Sequence, residues 1–114
     1  GTAAWVLTNA VLGKRRVGLV GLDFGYAPGT PYEHTQYYPE LAALLGDAVL
    51  DAFIHIDREG ETWFTDPAFY WCRETFLRMA ATAPCETSNC TEGGLLVGPA
   101  VSTMALETFL HQVA

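Results

Sequence analysis

The sequence predicts an α/β domain: a mostly parallel sheet flanked by helices, incomplete within this chain. Stretches of helical periodicity alternate with short apolar strands, the order of a sheet covered by helices. The run Val17–Leu22 (VGLVGL) has no polar/apolar alternation, as in a parallel strand packed on both faces. Only three strands can be recognised, and the chain opens on a helix with no strand before it. We therefore expect residues 1–114 to be a single domain, the C-terminal part of a larger one. One domain is also what 114 residues allow, and with 50% of them hydrophobic a packed core is within reach.

Each element has its own signal. Ala3–Leu12 reads as a helix with Ala3, Leu7, Ala10 and Val11 on one face, ended by Gly13. Lys14, Arg15 and Arg16 suit the negative end of its dipole. After the strand Val17–Leu22 comes a loop, Tyr26–Pro39, punctuated by Pro28-Gly29, Pro31 and Pro39. Leu41, Leu44, Leu45, Ala48, Ala52, Phe53 and Ile56 place helix over Glu40–Ile56, with Gly46-Asp47 able to split it. Arg58–Glu61 is a turn. Thr65 or Asp66 caps the next helix, Pro67 opens it, and Phe69, Cys72, Phe76, Leu77 and Ala80 form its inner face. Short strands are expected at Glu86–Asn89 and Leu95–Val97, and a last helix over Met104–Val113.

Charge narrows the partners. The net charge is −7, with six Lys and Arg of which three are the run Lys14-Arg15-Arg16. A nucleic-acid backbone needs basic residues spread along a face, so nucleic acid is not an expected partner. An acidic domain still binds a phosphorylated ligand when a divalent cation bridges the two. No run approaches the roughly 18 apolar residues of a membrane span. Three cysteines, Cys72, Cys85 and Cys90, form no CxxC pair and read as buried free thiols. Together with the lack of a signal-peptide pattern, this leads us to expect a cytoplasmic protein.

Two stretches could carry chemistry. Asp23 stands at the carboxyl end of its strand, where ligands of open α/β sheets bind, with Gly21 and Gly25 permitting close backbone approach. The alternative is that Asp23 merely caps the turn. Ser88-Asn89-Cys90-Thr91-Glu92-Gly93-Gly94 follows a later strand, and its glycine pair can turn backbone N–H groups toward an anion. An ordinary turn between strands explains it equally well. His34 lies in the loop after Asp23, within reach of a ligand there; His55 and His111 fall in helical stretches. The dense aromatic set Trp63, Phe64, Phe69, Tyr70, Trp71 and Phe76 reads first as core. Neither a nucleophile elbow nor a Walker phosphate loop is present.

Taken in order, Gly21-Leu22-Asp23-Phe24, the loop with His34, Asn89-Cys90-Thr91-Glu92-Gly93-Gly94 and Leu106-Glu107-Thr108-Phe109-Leu110 resemble the 6-hydroxymethylpterin diphosphokinase MptE-like family. A related branch holds motility accessory factors that glycosylate flagellin. The resemblance runs from Ala3 to Leu110 but spans only the C-terminal half of the family domain, and the stretch Tyr38–Glu61 is longer than its counterpart there. It implies a Rossmann-like sheet handling a nucleotide or sugar nucleotide, with Mg²⁺ as cofactor held by Asp23. Asp23 and Glu92 would be catalytic; Gly21, Gly25, His34, Asn89, Thr91, Gly93 and Gly94 would line the site. The expected reaction is diphosphate transfer to a pterin-like alcohol, with glycosyl transfer and a non-catalytic assembly module as alternatives. The unfilled sheet predicts a homo-oligomer.

Overall fold

The computed structural model describes residues 1–113; Ala114 lies outside the described residues. Its centre is a three-stranded parallel sheet in the order β1 (Arg16–Leu19), β4 (Glu86–Asn89), β5 (Val101–Thr103). Val17 pairs with Thr87 and Thr87 with Val101, so the carboxyl ends of all three strands point the same way. Helices cover both faces. On one, Trp5 of α1 (Thr2–Val6) and Phe76 of α3 (Pro67–Thr82) meet with ring centroids 4.7 Å apart, over Val17, Leu96 and Val101. On the other, Phe109 of α4 (Leu106–Val113) lies so close to Gly18 that a Cβ there would be 2.9 Å from the ring. The sheet is therefore α/β, parallel and flanked by helices.

The N-terminal segment turns a different face inward from the one its periodicity suggests. Trp5 and Asn9 are buried, whereas Leu7 and Val11 are exposed. The reason is the size and polarity of Trp5: its ring fills the space above Val17 and its indole N–H donates to Thr87 Oγ1 at 2.9 Å. A π-helical turn, Leu7–Val11, follows α1, and Asn9 Nδ2 donates back to the Trp5 carbonyl at 2.7 Å.

Residues Ile54–Ile56 are strand rather than helix. α2 (Tyr38–Leu45) passes into a 3-10 helix (Gly46–Ala52), and an antiparallel hairpin follows, β2 (Ile54–Arg58) with β3 (Glu61–Thr65). The expected turn is its tip, with positive φ at both Glu59 (53°) and Gly60 (84°), the geometry of a tight two-residue hairpin. A run such as Ala52-Phe53-Ile54-His55-Ile56 fits either period, and the cross-strand partner Phe64 decides it. Tyr26, Tyr32, Phe53 and Phe64 stack around this hairpin with centroids 4.6 to 5.6 Å apart, a second small core.

α3 forms with Asp66 as its cap, the Oδ1 carboxylate oxygen accepting from the Phe69 amide at 2.8 Å. β4 lies where expected. Leu95–Val97, read as strand, is instead a fully packed loop, and the strand comes later at Val101–Thr103. No helix among the described residues is long and apolar enough to cross a membrane.

Candidate functional site

Parallel pairing brings the two candidate motifs together. Leu19 ends β1 and Asn89 ends β4 as register partners, so Gly21–Gly25 and Cys90–Gly94 emerge side by side at the carboxyl edge of the sheet. The Cys90 amide donates to the Leu19 carbonyl at 2.8 Å, extending the ladder by one rung. The Gly21 amide then donates to Thr91 Oγ1 at 2.9 Å, and the Leu95 amide to the Asp23 carbonyl at 2.7 Å. Gly94 packs directly on Asp23. A Cβ at position 94 would stand 2.8 Å from Asp23 Cα, and φ is +78° there, so glycine is demanded twice over.

The loop after β4 is organised from within. Asn89 is fully buried: its side-chain N–H donates to the Leu96 carbonyl at 3.0 Å, and its Oδ1 accepts from the Thr91 amide at 3.0 Å. Asn89 thus shapes the turn that carries Thr91, Glu92 and Gly93, rather than facing the cleft itself. Glu92 is exposed and holds a left-handed φ of +62°. A Cβ at Gly93 would stand 3.7 Å from the Trp63 ring.

A cleft of about 380 Å³ opens on the other flank of Asp23, lined by Gly21, Asp23, Gly25, Tyr26, His34 and Phe69. Four of the residues singled out in the sequence therefore share one cavity. Two others, Thr91 and Gly94, hold its β1 wall from behind. Gly25 is at its floor, where a side chain would strike Leu95 and the Phe64 carbonyl.

Several residues that build this cleft carry no motif. Phe24 has a φ of +56°, a strained conformation for a bulky residue. Its ring is in the core against Phe76, and its carbonyl accepts from Thr65 Oγ1 at 2.7 Å. Tyr26 and Phe64 exchange backbone hydrogen bonds at 2.8 and 3.2 Å. These contacts clamp the segment after Asp23 to β3 and keep the carboxylate outside. Arg73, buried on α3, donates to the Leu95 carbonyl at 2.6 Å and the Val97 carbonyl at 3.3 Å, pinning the loop behind Asp23. Only the unusual polarity of Arg73 on an inner helix face could have drawn notice in the sequence.

Electrostatics suit a neutral hydroxyl at the cleft. Burial pushes Tyr26 above its usual value of 10.0, with Asp66 and Tyr37 adding to the rise against the hydrogen bond from the Gln36 amide. Tyr26 accepts that bond at 2.9 Å, which leaves its own proton free for a ligand. Burial also raises Cys90, opposed by its backbone bond with Leu19 and reinforced by Glu92. Cys90 is a thiol at neutral pH and not a nucleophile.

Among the described residues no group of three or more His, Cys, Asp and Glu converges. Mg²⁺ nonetheless commonly uses one or two protein carboxylates and takes its other oxygens from phosphates and water. The exposed Asp23 fits that mode and does not fit an all-protein cage. No family model matches this chain, and neither a curated protein nor a solved structure matches it.

Proposed function

We propose that the chain is a nucleotide-dependent transferase domain of the MptE-like type, acting in the cytoplasm on a diphosphate-bearing nucleotide at the Asp23 cleft. The observation that carries this reading is the joining of the two motifs at the carboxyl edge of a parallel sheet, Gly21 to Thr91 and Gly94 against Asp23. That edge is where α/β sheets receive ligands, and the strained Phe24 beside it is the kind of backbone cost found at sites.

In this proposal Asp23 would hold Mg²⁺, which would supply neutralisation of charge on the phosphate oxygens. Tyr26 donates its hydroxyl proton to the ligand, and His34 offers a second polar contact from the loop above. Glu92, exposed on the Thr91–Gly94 turn across Asp23 from the cleft, would take the proton of the acceptor alcohol. The acceptor oxygen would bond to the β-phosphorus of a nucleoside triphosphate as the bond from that phosphorus to the oxygen bridging the α-phosphate breaks, so that the diphosphate is transferred and the nucleoside monophosphate departs.

Isothermal titration with ATP, GTP and a CMP-sugar, each with Mg²⁺, tests the reading. Binding of a purine triphosphate supports diphosphate transfer, and binding of the CMP-sugar moves the assignment to glycosyl transfer. Absence of binding by all three rejects both and leaves a non-catalytic assembly module. Asp23→Asn should lower turnover by orders of magnitude with the far-UV spectrum unchanged. A fold that survives with turnover intact would remove Asp23 from the chemistry.

A further inference from the structure

Among the described residues, one side of β1 has no strand beside it. β1 is an edge of the sheet, and its carbonyls at Arg15 and Leu19 are turned toward β4. By the two-residue period of a strand, the N–H and C=O groups of Arg16, Gly18 and Val20 point to the open side. Val20 is 64% exposed there, in a chain whose adjoining helical segment also exposes Leu7, Val11 and Leu12. A groove of about 460 Å³ runs the length of this edge from Trp5 and Val17 to Leu22. Such an edge is a template for another strand.

Charge identifies the strand that fits. Half of the six basic residues stand just before the edge strand or on its first residue, at Lys14, Arg15 and Arg16, and a carboxylate, Asp23, stands just beyond its other end. Arg16 is occupied by Glu86 at 3.4 Å and by the Gln112 carbonyl at 3.0 Å. Lys14 and Arg15 are exposed and have no ion-pair partner among the described residues. A strand with a basic start and an acidic finish is complementary to itself when reversed.

We infer that β1 pairs antiparallel with β1 of a second copy about a two-fold axis at Gly18, and that this carries Lys14 and Arg15 of each protomer to the Asp23 cleft of the other. In this register Gly18 meets its own counterpart and Arg16 faces Val20, so all three outward-facing residues find partners. The ladder covers Arg16–Val20, and the chain turns just beyond it at Gly13 (φ 65°) and Gly21 (φ 77°), so Arg15 comes beside the Gly21 turn that lines the partner's cleft. Val20 on the edge and Leu22 in the groove along it supply apolar contact that a short ladder alone lacks. The pairing would add side-chain cations to a cleft whose described lining has the Asp23 carboxylate and no Lys or Arg. The two cations would bind the ligand's phosphate, which rests on the function proposed above; the pairing itself does not.

Sedimentation equilibrium at micromolar concentration, without ligand, tests the pairing. The chain should be a dimer, and Val20→Lys should render it monomeric with unchanged far-UV circular dichroism. Arg15→Glu and Asp23→Lys, each alone, set like charges against one another twice per dimer and should weaken association about tenfold or more. Mixing the two variants restores both pairs and should recover the dimer as a heterodimer. A monomeric wild type, a dimer indifferent to Val20→Lys, or a mixture no tighter than its components would each overturn the inference. A dimer that binds none of the nucleotides overturns only the assigned ligand, and a monomer that binds one overturns only the pairing.

Discussion

Gly94 and Glu92 sit in the same turn with opposite fits to it. Both have positive φ, but glycine adopts that region freely and glutamate does so at about 1–2 kcal/mol. Glu92→Gly should therefore raise the urea midpoint, while removing the carboxylate on which the proposed proton transfer depends. Stability gained with turnover lost would be the expected pair of results; unchanged turnover would free Glu92 from any chemical role. Gly94→Ala adds a methyl group against Asp23 Cα in an unfavourable backbone region. A destabilisation of about 1–3 kcal/mol follows, with Asp23 displaced and ligand affinity reduced. Wild-type stability in Gly94→Ala would contradict the packing of the two motifs.

At the scale of elements, the cleft is held by α3 and β3 more than by the strands that carry its motifs. Arg73 reaches across from α3 to the Leu95 and Val97 carbonyls, and Thr65 at the end of β3 holds the Phe24 carbonyl. Arg73→Met keeps the length and apolar stem but removes one of two donors from the Leu95 carbonyl, which keeps the Val97 amide, and the Arg73 bond from the part-buried Val97 carbonyl, at about 1–2 kcal/mol. The local consequence is more specific. The Leu95 amide, bonded to the Asp23 carbonyl, should exchange with solvent faster in Arg73→Met than amides of β4, as read by hydrogen exchange. Equal acceleration throughout would mean that Arg73 serves global stability alone.

For the whole molecule, shape and pH are the informative properties. The radius of gyration is 15.5 Å, against about 13 Å for a compact chain of this length, and the longest extent is 51 Å. The hairpin and its aromatic cluster form a lobe beside the sheet, and the sheet's open edge is left accessible to the pairing inferred above. Tyr26 and Cys90 both have raised pKa values because burial disfavours their anions. For such groups the unfolded chain loses its protons first as pH rises. Their contribution is complete at neutral pH and declines above about 8.5 for the thiol and about 10 for the phenol, ending past the folded values. Urea midpoints should fall along that alkaline range, and Cys90→Ala should flatten the first part of the decline. An identical decline in Cys90→Ala would assign it to other groups.

Local chemistry sufficed for several parts of this fold. Asp66-Pro67 announces the start of α3 because a carboxylate cap and a fixed φ act within one helical turn. Glu59-Gly60 announces its turn, and the apolar run beginning at Val17 announces a parallel strand, although β1 ends at Leu19 rather than Leu22, four residues short of Asp23, with Val20 exposed. The nearness of Asp23 to the Thr91–Gly94 turn was not legible in the local sequence, since nearly 70 residues separate them and the register of β1 with β4 sets their distance. Other features depended wholly on tertiary contact. Trp5 faces the core because Thr87 offers its hydroxyl, Ile54–Ile56 is strand because Phe64 and Trp63 lie across from it, and Arg73 is buried because two loop carbonyls need its donors. Periodicity reports which side of an element is apolar, and composition reports which turns are feasible. Which distant group completes a hydrogen bond is settled by packing, so the clamps around Asp23 belong to the three-dimensional structure alone.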